Sequence, residues 1–351
     1  MIFSLETLRG FAALIVAFYH FPGESIFFVK QGFMAVYFFF SLSGFVIALN
    51  YFNKINDVKD LLYFQKKRFF RLYPVHIFVL FTVLAIQCLK YFLIQLGLPA
   101  GSDAFSGHST TGSWYTLKDF ILQIFLLQAI IEYGYFMSWN GAAWTISAEF
   151  YTYFIFGFLA LISFRRLYIF IIISILYILF YNDIFEFINS FLKIKLHYAF
   201  KDCLLFFLTG SLMYFIYEKI KFRLNDIIFL ILLFIVLYFQ RYFPNHILFS
   251  VMLLLVALLN KNSFINILLN NKYLVYMGTI SYSFYMIHQI VLYCLIQVLK
   301  IFNFGYSFSE EISEGSGSVF FDSMITITYI IISFFVAIAM NNFIEKKFRI
   351  K

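Results

Sequence analysis

Long apolar runs separated by short polar breaks organise this chain of 351 residues. Ten stretches, near 4–21, 33–52, 74–97, 141–163, 167–182, 202–217, 226–240, 246–260, 278–299 and 322–343, approach the ~20 apolar residues that carry a helix across a bilayer. The pattern predicts an all-α fold, a polytopic transmembrane helical bundle of about ten spans, which returns both termini to one side. A further run, TLKDFILQIFLLQAIIEY (116–133), is only about 14 residues long from Asp119 to Glu132. Counting it as a span would invert every later loop, so a re-entrant or surface-lying helix on the outer side is expected. Pro22, Pro74, Pro99 and Pro244 all fall at the ends of the apolar runs, so no span need be kinked. The segment SEEISEGSGS (309–318) reads as an outer loop. No linker or repeat divides the chain, and one membrane domain over 1–351 is expected.

Composition and charge sharpen this picture. At 63% hydrophobic and 13% charged residues, with a mean hydropathy of +0.87, the chain has too little polar surface to cover a soluble domain. With the N-terminus cytoplasmic, 18 of the 26 lysines and arginines fall on the inner half, which satisfies the positive-inside rule and places both termini in the cytoplasm. The first apolar run has no basic segment and no small-residue cleavage site before it, so it is expected to be a retained span. Cys88, Cys203 and Cys294 lie in separate apolar runs without metal-ligand spacing, so neither a disulfide framework nor a metal centre is expected. Their expected role is packing.

Ionisable residues inside the apolar runs mark the candidate chemistry. Arg9 and His20 share LETLRGFAALIVAFYHF, and an eleven-residue step returns to nearly the same helix face ~16 Å further along. An arginine at the centre of a membrane helix costs about 2.5–3.5 kcal/mol even on the lenient insertion scale, which makes a functional site the default expectation. KKRFFRLYP (66–74), read as a cytoplasmic connection, puts Arg68 and Arg71 about 60° apart on one helix face. Such a pair can grip phosphate by bidentate, charge-assisted hydrogen bonds, or can merely set topology. Ser43–Gly44 in FFFSLSGFVIALNY reads by itself as helix packing. Glu149, in WNGAAWTISAEFYTYF, lies at a depth that suits His20, where a carboxylate could orient the imidazole, act as an acid or base, or hold the bundle by a structural hydrogen bond. In GTISYSFYMIHQ (278–289), Tyr282 and mid-span His288 are candidates to line the substrate path, as is Ser43; a lone mid-span histidine is also a common packing residue.

The motifs LRGFAALIVAFYH, FFFSLSGFV, RFFRLYP, WTISAEFYTYF and SYSFYMIH, in this order, resemble the bacterial acyltransferase-3 family of integral membrane O-acyltransferases. The resemblance runs from residue 5 to about residue 349. It implies transfer of an acyl group, commonly acetyl, from cytoplasmic acetyl-CoA or another acyl-CoA to a hydroxyl on an envelope or exported carbohydrate, or a lipid-linked glycan, at the cytoplasmic (inner) membrane. It implies essential roles for Arg9 and His20 and donor binding by Arg68 and Arg71. Where many members carry Val-Glu-Glu-Gln, this chain has the single carboxylate of Glu149 between Ala148 and Phe150. The hydrolase-like periplasmic domain of some relatives is not expected after FIEKKFRIK. No metal and no nucleic-acid partner is expected. General-base catalysis by His20 and a covalent acyl-histidine both fit at this point. The rival class is a transporter or lipid-linked glycan flippase, which would need paired helix breaks or related halves that the sequence does not show.

Overall fold

The computed structural model describes residues 2–20, 32–100, 105, 108–109, 112–113, 115–163, 166–302, 307–308, 313–314 and 319–350. The protein is an all-α polytopic bundle. Its helices are α1 (Phe3–Tyr19), α2 (Gly32–Tyr51), α3 (Val58–Gln95), α4 (Leu117–Ile124), α5 (Trp144–Ile162), α6 (Leu167–Leu192), α7 (Tyr198–Lys219), α8 (Asp226–Tyr238), α9 (Asn245–Ala257), α10 (Phe264–Leu269), α11 (Lys272–Ile301), α12 (Val319–Met340) and α13 (Lys346–Phe348). The only strands among the described residues are two antiparallel pairs of two residues each, His108–Ser109 with Gly112–Ser113 and Ser307–Phe308 with Ser313–Glu314.

Seven segments among the described residues are long and apolar enough to cross a membrane: Gly32–Lys54, Val58–Gln95, Gly141–Ile162, Leu167–Leu192, Tyr198–Lys219, Lys272–Ile301 and Phe320–Phe348. Their outward faces are apolar, with Leu179 66%, Phe158 57% and Phe335 69% exposed, the surface that lipid rather than water covers. Each of the ten expected spans coincides with a helix. However, α8 and α9 have 13 residues apiece, about 20 Å, and α1 has 17, so these three fall short of the usual length. The 116–133 run forms only the eight-residue α4, about 12 Å long and too short to span, capped by the Thr116 hydroxyl on the Asp119 N–H at 3.0 Å.

Several boundaries differ from the sequence pattern. Pro74 lies inside α3, and RFFRLYP is the middle of a 38-residue helix rather than a connection before a span. Nothing between Val58 and Gln95 except Pro74 opposes helix formation, and a proline removes one hydrogen bond without ending a helix whose neighbours pack it. The helix stops at Gly97, whose φ of +69° lets the N–H of Leu98 reach Leu93 O at 2.9 Å and its own N–H reach Ile94 O at 3.0 Å. The expectation of unkinked spans fails in α6: Phe180 leaves helical geometry at φ −120°, ψ 24°, and the helix then continues to Leu192. A π-turn, Asn341–Glu345, follows α12, and α10 was not expected. Pro22, Arg165, Lys351 and most of 309–318 lie outside the described residues.

The chain divides into two compact units. One comprises Met1–Ala12, Met34–Phe69 and Ala148–Thr279; the other comprises Ala13–Phe33, Phe70–Ser147 and Ile280–Lys351. In the first, α7 packs on α6 and α9, and small residues let α2 cross α7 backbone to backbone. A Cβ on Gly44 would sit 1.9 Å from Phe207 O, and one on Gly210 would sit 2.0 Å from Ser41 O. Ser211 Oγ donates to Gly44 O at 3.1 Å and to Phe207 O at 3.0 Å, stitching the crossing. Overpacking of this kind typically costs about 1–3 kcal/mol. Gly44→Ala and Gly210→Ala should therefore each lower the unfolding temperature of detergent-purified protein; wild-type heat resistance in both would show that the crossing yields freely.

Candidate functional site

Within the first unit, α1 carries the expected arginine as half of an ion pair. Arg9 Nη1 lies 3.4 Å from Glu6 Oε2, one turn away on the same helix, and both side chains are mostly buried. Pairing halves the problem of a guanidinium in an apolar segment, because the two charges screen each other. Gly10 and Gly278 make room for this turn: a Cβ on Gly278 would sit 1.8 Å from Glu6 O, and one on Gly10 would sit 2.9 Å from Gly278 N. Sequence inspection passed over Glu6, although its i, i+3 spacing to Arg9 was visible.

The same unit gathers a second polar group from α2, α3 and α5. Ser43 and Tyr153 both donate their hydroxyls to one carboxylate oxygen of Glu149, and the two hydroxyl oxygens stand 3.1 Å apart. Tyr153 is one turn beyond Glu149 on α5, so α5 supplies both acceptor and one donor. Arg68 is 8% exposed and sits in a box of rings, its guanidinium carbon 4.7 Å from the Tyr51 ring centre, 5.8 Å from Phe64 and 5.9 Å from Tyr153. Its Nη2 donates to Tyr51 Oη at 2.7 Å. The cation thus rests on aromatic faces, and the hydroxyl of one of these rings, Tyr153, donates to Glu149. Tyr51, Phe64 and Tyr153 were not singled out in the sequence. Arg71 lies three residues further along α3 and is half-buried.

In the second unit the focus is His20, in the turn that follows the last residue of α1. Gln289 Nε2 lies 3.0 Å from His20 Nε2. An amide nitrogen can only donate, so the His20 nitrogen accepts and the ring proton resides on Nδ1. The His288 ring is fully buried with its centre 5.4 Å from that of His20, and its Nδ1–H donates to Tyr285 O at 2.5 Å. That leaves the lone pair on His288 Nε2, a buried atom with no hydrogen-bond partner. Tyr282 is also buried, and its hydroxyl donates to Leu72 O at 2.5 Å, a tie between α11 and α3.

The structure thus brings together Ser43 and Glu149 in one group and His20 and His288 in another; it adds Gln289 and Tyr153 and gives Tyr282 a bracing bond. Among the described residues no cluster of three histidine, cysteine, aspartate or glutamate side chains could hold a metal, and the three cysteines are free thiols. Compared with known families, residues 2–341 match the model of an acyltransferase domain, Acyl_transf_3. No curated protein and no solved structure matches the chain.

Proposed function

This chain belongs to the acyltransferase-3 family and is a multi-pass membrane acyltransferase; on that premise we propose that it moves an acetyl group from cytoplasmic acetyl-CoA to a hydroxyl of an envelope or exported carbohydrate, as one membrane domain in the bacterial inner membrane. The observation that carries this reading is an imidazole, His20, held by a neutral amide at the end of an apolar helix that also bears Arg9. In the reaction the acceptor oxygen attacks the thioester carbonyl while His20 takes the hydroxyl proton. The tetrahedral intermediate then expels the CoA thiolate, which recovers the proton from the imidazolium, leaving an ester and free CoA. General-base help of this kind is worth ~10²–10⁴ in rate. Arg9, oriented by its bond to Glu6, offers a positive charge to the acyl-CoA along its path. Glu149, with two hydroxyls turned toward it, supplies a fixed negative charge and a proton acceptor.

Arg71 and Arg68 hold the phosphates of the donor. Arg71→Ala and Arg68→Ala should each raise the KM for acetyl-CoA several-fold and make residual CoA binding less sensitive to salt. Lysine at either position should restore binding only in part, since a point charge cannot reproduce the planar fork. Full rescue by lysine in correctly inserted protein would leave these arginines as topology signals alone.

The break at Phe180 and the proline within α3 are features that transporters also carry, but the family match favours transfer over transport. The deciding experiment supplies isotope-labelled acetyl-CoA to vesicles containing the chain together with a polysaccharide extract. Label recovered as an alkali-labile ester on the carbohydrate supports the reading. Movement of glycan across the vesicle wall without esterification would overturn it.

A further inference from the structure

The amide that touches His20 occupies a prepared place. A Cβ on Gly141 would sit 2.5 Å from Gln289 Oε1, so the position faces the carboxamide as closely as a residue without a side chain allows. Gly141 belongs to a short 3-10 turn, Gly141–Ala143, and that turn is anchored to the helix bearing Gln289. Asn140, 1% exposed, accepts the Ala142 N–H at 3.3 Å through Oδ1 and donates through Nδ2 to Met286 O at 3.4 Å, one turn before Gln289. Turn, helix α11 and imidazole are therefore locked into one arrangement inside the second unit.

Building on the proposal that His20 is the base, we infer that Gln289 is a positioning residue that fixes the ring orientation and proton placement of His20, with Gly141 providing the space it needs. A carboxamide suits this task in an apolar interior. In the resting arrangement its N–H₂ end grips the Nε2 lone pair; a half-turn about the last torsion presents Oε1 to a proton on Nε2 instead, which leaves the Nδ1 lone pair of the neutral ring free to take the acceptor's proton and keeps the Nε2–H bonded in the imidazolium. The ring thus keeps a partner in both protonation states without a second buried charge. The rings that stand beside His20 in this unit, Tyr19 at 5.3 Å and His288 at 5.4 Å, bring no carboxylate to it. His288 cannot take over the role of Gln289 while its Nδ1–H is held by Tyr285 O.

The test uses the full chain in proteoliposomes and compares wild type with Gln289→Met, Gln289→Glu, Gly141→Ala and His20→Ala. Methionine keeps the length of the side chain and removes the hydrogen bond. It should lower kcat by about 10²-fold, as expected for a reacting group displaced by about an ångström, at unchanged KM for acetyl-CoA. Gly141→Ala should push the amide away and reproduce the same split. Glutamate should retain more activity than methionine, and its negative charge should move the acid limb of the pH–rate profile to higher pH, because it favours the imidazolium that must be neutral to act. A packing role alone would alter protein level without moving that limb. Wild-type kcat in Gln289→Met, together with an unshifted profile in Gln289→Glu, would overturn the inference if His20→Ala is inactive. Full activity in His20→Ala would overturn the base assignment as well, leaving Gln289 nothing to position.

Discussion

Replacing His20 with alanine should lower acyl transfer at least ~10²-fold, the low end of what a positioned general base contributes, while the protein should insert and accumulate as the wild type does. The side chain ends just past α1, and its hydrogen bond goes to one neutral amide, so its removal breaks no ion pair. A packing histidine would give the opposite result, less protein with normal activity per molecule. Ester content of the carbohydrate, normalised to protein level, separates the two.

Glu149→Gln should be the next most damaging change, with turnover falling by about 10²-fold and the KM for acetyl-CoA little altered. Glutamine is nearly the same shape, and its Oε1 can still accept from Ser43 and Tyr153, so the substitution removes charge and leaves the packing of α2 against α5 in place. Glu149→Ala should behave differently, reducing protein level as well, because two hydroxyls lose their acceptor and each orphaned group costs about 1–3 kcal/mol. Normal turnover in Glu149→Gln would reduce the carboxylate to a structural acceptor.

The membrane character of the helices was legible because it rests on composition over a window, which tertiary contacts do not change. Helix ends were less legible. The basic stretch before Pro74 looks like a loop by charge, yet lysine, arginine, leucine and phenylalanine all accept helical geometry, and α3 runs through it. In α6 the apolar window stops near residue 182, but the mixed segment DIFEFINSFL continues as helix beyond the break at Phe180. Arg9, His20 and Glu149 stood out because ionisable groups are rare in such surroundings. Their partners did not. Gln289 and Tyr153 are ordinary residues until the fold places them, and that placement depends on glycines at 141, 44 and 210 whose role is defined only by the backbone or amide that approaches them. Gly44 was readable as packing; that its neighbour Ser43 points to Glu149 was not.

Acyl transfer from CoA to a carbohydrate hydroxyl, with a membrane-embedded histidine taking the hydroxyl proton, is the proposed reaction. It is tested most directly by counting products from purified chain in proteoliposomes given acetyl-CoA and a carbohydrate acceptor. Wild-type protein should release one free CoA thiol for each acetyl ester formed, and His20→Ala should do neither above background. Equal CoA release and ester formation in wild type and His20→Ala would contradict it.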